Sequence, residues 1–359
     1  MNARRATISD VARAAGVAAS TASVVFSGKT PVSDATRERV MAAAKELGYT
    51  GPDPRAASLR RGRSGIVGVV IGDRLRAAFR DPVTTVMLDG LAEGVAAQGA
   101  SLLLLRDDDT SEEPQLQSAP ADAFVLVGCS TRLREALETI RGRGVPVVVV
   151  EGDAGEGVPQ IRLDNRDAQA VIARHVASLG HDDVVLVTLP VAEGRAAGWI
   201  ETAPLPAIAV DVTRDRLHGA LDVFPDARVY ASGGSFIDQG YAAGQAILAA
   251  PGPRPTAILA QSDMIAAGII RAVQDAGLHV PDDVSVTGFD GVQIDGVAPL
   301  TLTTMVQPAA EKGRAAGVAV SQMLAGDEPA DMLLTSVFRP GDTTGPAPRP
   351  GASGPDPSA

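Results

Sequence analysis

Thr7-Ile8-Ser9-Asp10-Val11-Ala12-Arg13-Ala14-Ala15-Gly16-Val17-Ala18-Ala19-Ser20-Thr21-Ala22-Ser23-Val24-Val25-Phe26-Ser27 reads as two short helices joined at a glycine. Thr7 has the hydroxyl of an N-cap, with Asp10 three residues on, a capping-box arrangement with Asp in place of Glu. Ile8, Val11, Ala12 and Ala15 fall on one face at helical spacing. Gly16 supplies the backbone freedom for a tight turn, and Val17 is the apolar plug that such a turn buries. In the second helix Ala22, Val25 and Phe26 point inward. Ser20, Thr21, Ser23 and Val24 are left outside, small enough to enter a DNA major groove. The plainer alternative is a helical hairpin on a domain surface.

Charge weighs against that alternative. Residues 1–63 hold eleven Lys and Arg against five Asp and Glu, a net of +6, while the remainder carries −17 of a total of −11. A basic head on an acidic body is the footprint of a protein that meets phosphates at one end only. The 359 residues suffice for two or three packed units, and few aromatics (3%) with 38 Gly suit an α/β protein with many short turns. A single cysteine, Cys129, excludes an internal disulfide and fits a reducing compartment. Arg4 and Arg5 run straight into the helix pattern with no long apolar core, so no signal peptide is expected. The longest apolar runs, 102–105 and 145–150, are far too short to span a membrane. The expected location is the cytoplasm.

Beyond the helical pair, Ser33 is placed to N-cap a third helix that Gly48 ends, with Val40, Ala43, Ala44 and Leu47 as its apolar stripe. Tyr49 is expected to pack on this three-helix head, residues 1–51. A hinge, 52–65, follows, where Asp53 and Pro54 start a helix of about two turns that is marginal alone in water. From residue 66 strands alternate with helices, the pattern of parallel sheets. Strands are expected at 66–71, 102–105, 124–127, 147–150, 184–187, 208–210, 228–230, 257–260, 284–287 and 302–306. Helices are expected at 86–98, 132–143, 166–179, 239–249 and 264–276, with a last helix at 309–324 and a strand at 332–338. So many strands fit two α/β subdomains with a cleft between them better than one sheet. The tail, 340–359, is rich in Pro, Gly, Ser and Thr and reads as disordered.

Several motifs stand in a fixed order: Thr7 to Ala12 with Ala15-Gly16-Val17, Val32-Ser33 to Leu47-Gly48-Tyr49, Leu59-Arg60-Arg61-Gly62, Leu179-Gly180-His181, Gly194-Arg195-Ala196-Ala197-Gly198-Trp199, Gln261-Ser262-Asp263, Gly288-Phe289-Asp290 and Leu302-Thr303-Thr304. In order and spacing the chain resembles the lac repressor-type (LacI/GalR) transcription regulators over nearly its whole length. That resemblance implies two Rossmann-like parallel α/β subdomains of periplasmic-binding-protein type behind the helix-turn-helix head. The body, 66–339, would divide into an N-subdomain of about 66–163 and 292–327 and a C-subdomain of about 164–291 and 328–339. It further implies a homodimer, or a dimer of such dimers, on near-palindromic double-stranded operator DNA, acting as a repressor. Thr7, Ala19, Ser20, Thr21, Ser23 and Val24 would meet DNA from the head, and Arg55, Ala56, Leu59, Arg60 and Arg61 from the hinge. Leu59 matches the leucine that wedges into the minor groove, and Arg60 and Arg61 suit phosphates better than bases.

Three departures mark this chain. Val24 replaces the arginine with which many relatives read guanine, so the operator should differ from the usual one. Ala18 replaces the usual Ser or Thr cap of the second helix. One extra residue separates Tyr49 from Leu59.

The resemblance also implies a small-molecule effector between the subdomains, a sugar or sugar derivative before a purine. Arg195 and Asp290 match the positions that hold it, and an arginine fork with a carboxylate suits vicinal hydroxyls. Asp290-Gly291 also serves as a turn pair, and Ser262 either faces the ligand or caps a helix. Phe79 and Phe236 are candidate stacking faces or core residues. Effector binding would change the angle between subdomains and so decide whether the hinge folds on DNA.

Two other classes of function are weighed. An enzyme lacks support, since no Walker A sequence, Gly-x-Gly-x-x-Gly after a strand or Gly-x-Ser-x-Gly elbow occurs, and the four histidines lack metal-ligand spacing. No cofactor or metal is expected. A sugar-binding protein of periplasmic type without DNA function is the alternative.

Overall fold

The helical pair folds as its residue types dictate. A computed structural model describes residues 6–28, 30–51, 62–72, 75–106, 115–128, 132–192, 195–201, 208–294 and 297–348. In it the chain divides into two units, residues 1–65 and 66–359. Helix α1 is Ile8–Ala15. The Asp10 amide donates to Thr7 Oγ1 (3.3 Å) and the Thr7 amide to Asp10 Oδ2 (3.0 Å), completing the capping box. Gly16 turns the chain at φ 64°, and the Val17 amide donates back to the Ala12 carbonyl. Helix α2, Ala19–Ser27, begins at Ala18 with no side-chain cap. Helix α3 is Asp34–Glu46, where Ser33 occupies the N-cap position but donates its hydroxyl to Thr36 Oγ1 rather than accepting from the backbone. Val11, Ala12, Ala22, Val25, Val40 and Ala44 are among the core of this unit, and Tyr49 closes it edge-on against Phe26, ring centroids 5.2 Å apart.

The second unit alternates strands and helices. In order they are β1 (Ile66–Ile71), α4 (Pro82–Ala96), β2 (Ser101–Arg106), β3 (Ala123–Val127), α5 (Leu133–Gly142), β4 (Val147–Val150), β5 (Gln160–Leu163), α6 (Asn165–Ser178), β6 (Val184–Thr188), β7 (Gly198–Ile200), α7 (Asp211–Leu221), β8 (Arg228–Ala231), α8 (Ile237–Leu248), β9 (Ala257–Ala260), α9 (Asp263–Asp275), β10 (Ser285–Thr287), β11 (Thr304–Val306), α10 (Ala309–Ala325), β12 (Met332–Leu334) and β13 (Val337–Arg339). Leu75–Ala78 and Gln115–Ser118 are single helical turns.

One sheet is parallel throughout, in the order β12-β5-β4-β3-β1-β2, with Val67 opposite both Leu102 and Ala123. A second runs β10-β9-β6-β8-β7 and is parallel except for β7 at its edge, and β11 and β13 form a separate antiparallel pair. The runs of Val, Ile and Leu in the central strands are buried on both faces, as parallel sheets require. Helices α4 and α10 touch backbone to backbone: a Cβ on Gly313 would lie 1.9 Å from the Met87 carbonyl oxygen. The expected fold class therefore holds: a three-helix head and a parallel α/β body of two sheets.

Four expectations need correction. Residues 208–210 are not a strand but the irregular lead into α7, and the Ala209 amide donates to the carbonyl of Val191, which lies in a loop and not in a sheet strand. The short β5 and β7 were not anticipated. The stretch 332–338 is two strands, with β12 joining β5 in the first sheet and β13 pairing antiparallel with β11. Finally, residues 340–348 are not disordered. Val286 donates to the Thr343 carbonyl (2.8 Å), Ala347 to that of Leu179 (2.9 Å), and Thr343 is fully buried, so the segment is held along β10. Residues 349–359 and most of the hinge, 52–61, lie outside the described residues.

Candidate functional site

The carboxyl ends of both sheets open onto one cavity of about 440 Å³. Ile71 and Val127 end their strands, Glu151, Ser262, Asp290 and Gln307 follow theirs, and all six line the cavity, the place where open parallel sheets put ligand groups. Six side chains at its base form a closed polar ring. Asn165 Nδ2 donates to Glu151 Oε1 (3.1 Å), and Arg216 Nε donates to Asn165 Oδ1 (2.8 Å). Arg216 Nη1 reaches Asp290 Oδ1 (3.3 Å), which also accepts from Gln307 Nε2 (2.7 Å). Lys312 Nζ closes the ring by donating to Gln307 Oε1 (2.6 Å) and to Glu151 Oε2.

Burial makes these charges matter. Lys312 is 1% and Arg216 3% exposed, so each needs its anionic partner in place. The Arg216 guanidinium also lies 3.6 Å from the centre of the Phe289 ring and donates to the Gln261 carbonyl. Burial alone would push the Glu151 carboxyl up, but the charges of Lys312 and Arg216 and hydrogen bonds from Lys312 and Asn165 outweigh it, leaving it below its ordinary value. Asp290 goes the other way. Burial pushes it up to about 6, with Asp81 adding in the same sense and Arg216, Gln307 and Lys312 opposing. Behind it Asp263 is fully buried, accepting from Thr304 Oγ1 and the Val292 amide; burial and the Asp290 charge hold it well above the carboxylate range.

The backbone is unusual at the same place. Among the described residues, Glu151 (φ 56°) and Asp290 (φ 120°) are the only non-glycine residues with positive φ, and both belong to the ring. Conformations of that kind persist where surrounding structure enforces them, and they concentrate at functional sites.

Of the residues singled out from sequence, the structure brings Phe236, Ser262 and Asp290 to this cavity. Ser262 also caps α9, its hydroxyl accepting from the Ile265 amide (3.4 Å). The Phe236 ring carries the Arg80 guanidinium 4.7 Å from its centre. Phe79 is 57% exposed and outside the lining, although its neighbours Ala78 and Asp81 are within it. Arg195 is likewise exposed and outside the lining.

Arg132 and Arg216, not Arg195, are the arginines that line the cavity, and Arg216 is the one held in the ring. Local sequence did not single it out: Arg-x-x-Gly starts at Arg13, Arg141, Arg195, Arg216 and Arg314 alike. A Cβ on Gly219 would lie 2.1 Å from the Arg166 carbonyl oxygen, so only glycine lets α7 approach α6 this closely and carry Arg216 inward. Glu151 and Lys312 were missed because nothing local marks a buried ion pair between residues 161 positions apart.

In the first unit Ala19 and Ser20 are exposed and Thr21, Ser23 and Val24 partly so, while Ala22 and Val25 are buried. Thr7 is exposed beside its capping partner. Arg55, Ala56, Leu59, Arg60 and Arg61 lie outside the described residues. No group of three or more His, Cys, Asp or Glu side chains among the described residues could hold a metal ion. Nor is any described helix long and apolar enough to cross a membrane.

Fold and cavity together define a two-part protein, a helix-turn-helix unit and a two-sheet ligand-binding body. Comparison with known proteins agrees. Residues 7–51 match the bacterial regulatory proteins of the lacI family, and residues 173–344 match the periplasmic binding protein-like domain. An HTH-type transcriptional regulator of Mycolicibacterium smegmatis is 34% identical over 365 residues, covering 96% of this chain and 97% of that protein. The lac repressor dimer bound to operator and the anti-inducer ONPF has the same fold, with TM-score 0.77 at 22% identity over 95% of this chain and 100% of that one. So does a transcriptional regulator CelR–cellobiose complex, with TM-score 0.63 at 23% identity over 94% and 100%. The chain belongs to the lacI family of bacterial transcriptional regulators, with a DNA-binding domain and a ligand-binding domain.

Proposed function

We propose that the protein is an operator-binding repressor whose affinity for DNA is set by a small molecule in the cavity of the two-sheet body. The observation that carries this reading is the ring of Glu151, Asn165, Arg216, Asp290, Gln307 and Lys312, which draws on both sheets at the base of that cavity. A ligand that takes a hydrogen bond from Arg216 or gives one to Asp290 alters contacts between the two halves. Occupancy and body geometry are thereby coupled. Asp290 accepts two hydrogen bonds at Oδ1, which leaves Oδ2 for donors such as sugar hydroxyls. A sugar is supported further by the cellobiose complex among the similar structures.

DNA reading falls to Ala19, Ser20, Thr21, Ser23 and Val24, with Thr7 beside them and the hinge residues Arg55, Ala56, Leu59, Arg60 and Arg61 at the operator centre. The working form is a cytoplasmic homodimer. Support for a dimer comes from the lac repressor dimer on operator among the similar structures.

The test is selection of genomic fragments by the purified full-length protein at moderate salt, repeated with a panel of sugars and purines. A near-palindrome whose occupancy changes with one member of the panel is the expected result. Binding with no shared sequence under every condition overturns the reading and leaves a ligand-binding protein without an operator.

A further inference from the structure

Helix α2 contains no charged side chain and no side-chain amide: its nine residues are Ala, Ser, Thr, Val and Phe. Base edges in the major groove are read by long donors for guanine, by amides for adenine, and by apolar groups for the thymine methyl. The first two means are absent from this helix. On its outward face the helical spacing puts Ser20 and Ser23 near the middle and Ala19 and Val24 at the two borders. Ser27, on the same face, donates its hydroxyl to the Val24 carbonyl. What α2 offers a groove floor is therefore methyl groups flanking two short hydroxyls. A serine hydroxyl both donates and accepts, so it discriminates weakly between bases. The C5 methyl of thymine is the apolar feature of the major groove.

We infer that Val24 reads each operator half-site by packing its methyl groups on a thymine methyl, with Ala19 completing the apolar contact. The inference rests on the operator-binding reading above. No long side-chain donor of α2 reads guanine, and the short side chains let the helix backbone lie close to the base edges.

The experiment uses full-length protein and the operator recovered by selection, with each half-site thymine replaced in turn by deoxyuridine, which removes only the methyl group. Burial of one methyl corresponds to about a fourfold change in affinity. We expect a loss of at least that size at one thymine in each half-site. We also expect Val24→Ala to lower affinity for the natural operator by a similar factor and to abolish the deoxyuridine effect at that same position. Deoxyuridine tolerated at every half-site position overturns the inference, as does a loss that persists undiminished in Val24→Ala. Failure to recover any operator overturns the underlying reading instead, so the two failures are distinct.

Discussion

The outer face of α2 and the ring beneath the cavity are built for recognition in opposite ways. The α2 face comes from one run of nine residues, carries no charge and is partly exposed to solvent. The ring draws six residues from positions 151 to 312, four of them ionisable, and shuts nearly all of them away from water. A short exposed face gains little stability from its side chains and is free to vary with the DNA it meets. A buried ring of charges is bound to its partners, since removing one strands another in a low-dielectric interior. The α2 face should therefore tolerate substitution, and the ring should not.

The largest effect is expected at Lys312. Lys312→Met leaves the Glu151 carboxylate buried without its main counter-charge and should destabilise the two-sheet body by about 3–5 kcal/mol in denaturant unfolding. The double variant Lys312→Met/Glu151→Met should regain most of that loss. Retention of full stability by the single variant would break the contrast.

Arg216→Ala strips hydrogen bonds from Asn165, the Gln261 carbonyl and Asp290, and should cost about 2–3 kcal/mol. Arg195→Ala, at an exposed position, should stay within about 0.5 kcal/mol of the native chain. Equal losses from the two would undo the assignment of Arg216 as the inward arginine.

Asp290 gives the ring a pH signature. Its folded value of about 6 lies above the ordinary 3.8, so the folded state keeps a proton that the unfolded state has lost. This contribution is complete below about pH 4 and is lost as pH rises through 6. A shift of that size corresponds to on the order of 2–3 kcal/mol. Asp263, also raised, acts in the same sense, whereas Glu151, lowered, loses its contribution only as pH falls. Stability of Asp290→Asn relative to the native chain should climb between pH 4 and 6 and then level. A flat difference across that window would contradict the assignment.

The smallest effects belong to the head. Thr7→Ala opens the capping box of α1 and should cost about 1 kcal/mol, read by hydrogen exchange of the α1 amides in the full chain. Ala18→Ser supplies the cap that α2 lacks and should gain up to about 1 kcal/mol in the same measurement.

The same contrast governs how much of the molecule was legible in its sequence. The head reads correctly except at Ser33, which makes no cap bond, and Leu47, which is left exposed, because its determinants are local: a cap three residues from its partner, a glycine at the turn, an apolar stripe at helical spacing. Central strands are legible for a similar reason, as unbroken apolar runs. What escaped depends on partners far along the chain. The four residues of β5 have no pattern of their own and become a strand between β4 and β12. The segment 340–348 looks like a flexible tail by composition, but Thr343 and Gly345 are fixed by Val286, Thr303 and His181. At the cavity, Asp290 stood out beside a strand end, whereas Arg216 carries no local mark that sets it above Arg195. Only packing of α7 on α6 separates the two.

The central claim is that a ligand bound against the Arg216–Asp290 ring controls operator binding. The most direct measurement is operator affinity of the full-length native chain, Arg216→Ala and Arg195→Ala across a panel of sugars and nucleosides. One compound is expected to change the affinity of the native chain and of Arg195→Ala by about tenfold or more, a coupling of common size, and to leave Arg216→Ala unmoved. A response kept by Arg216→Ala and lost by Arg195→Ala would contradict that claim.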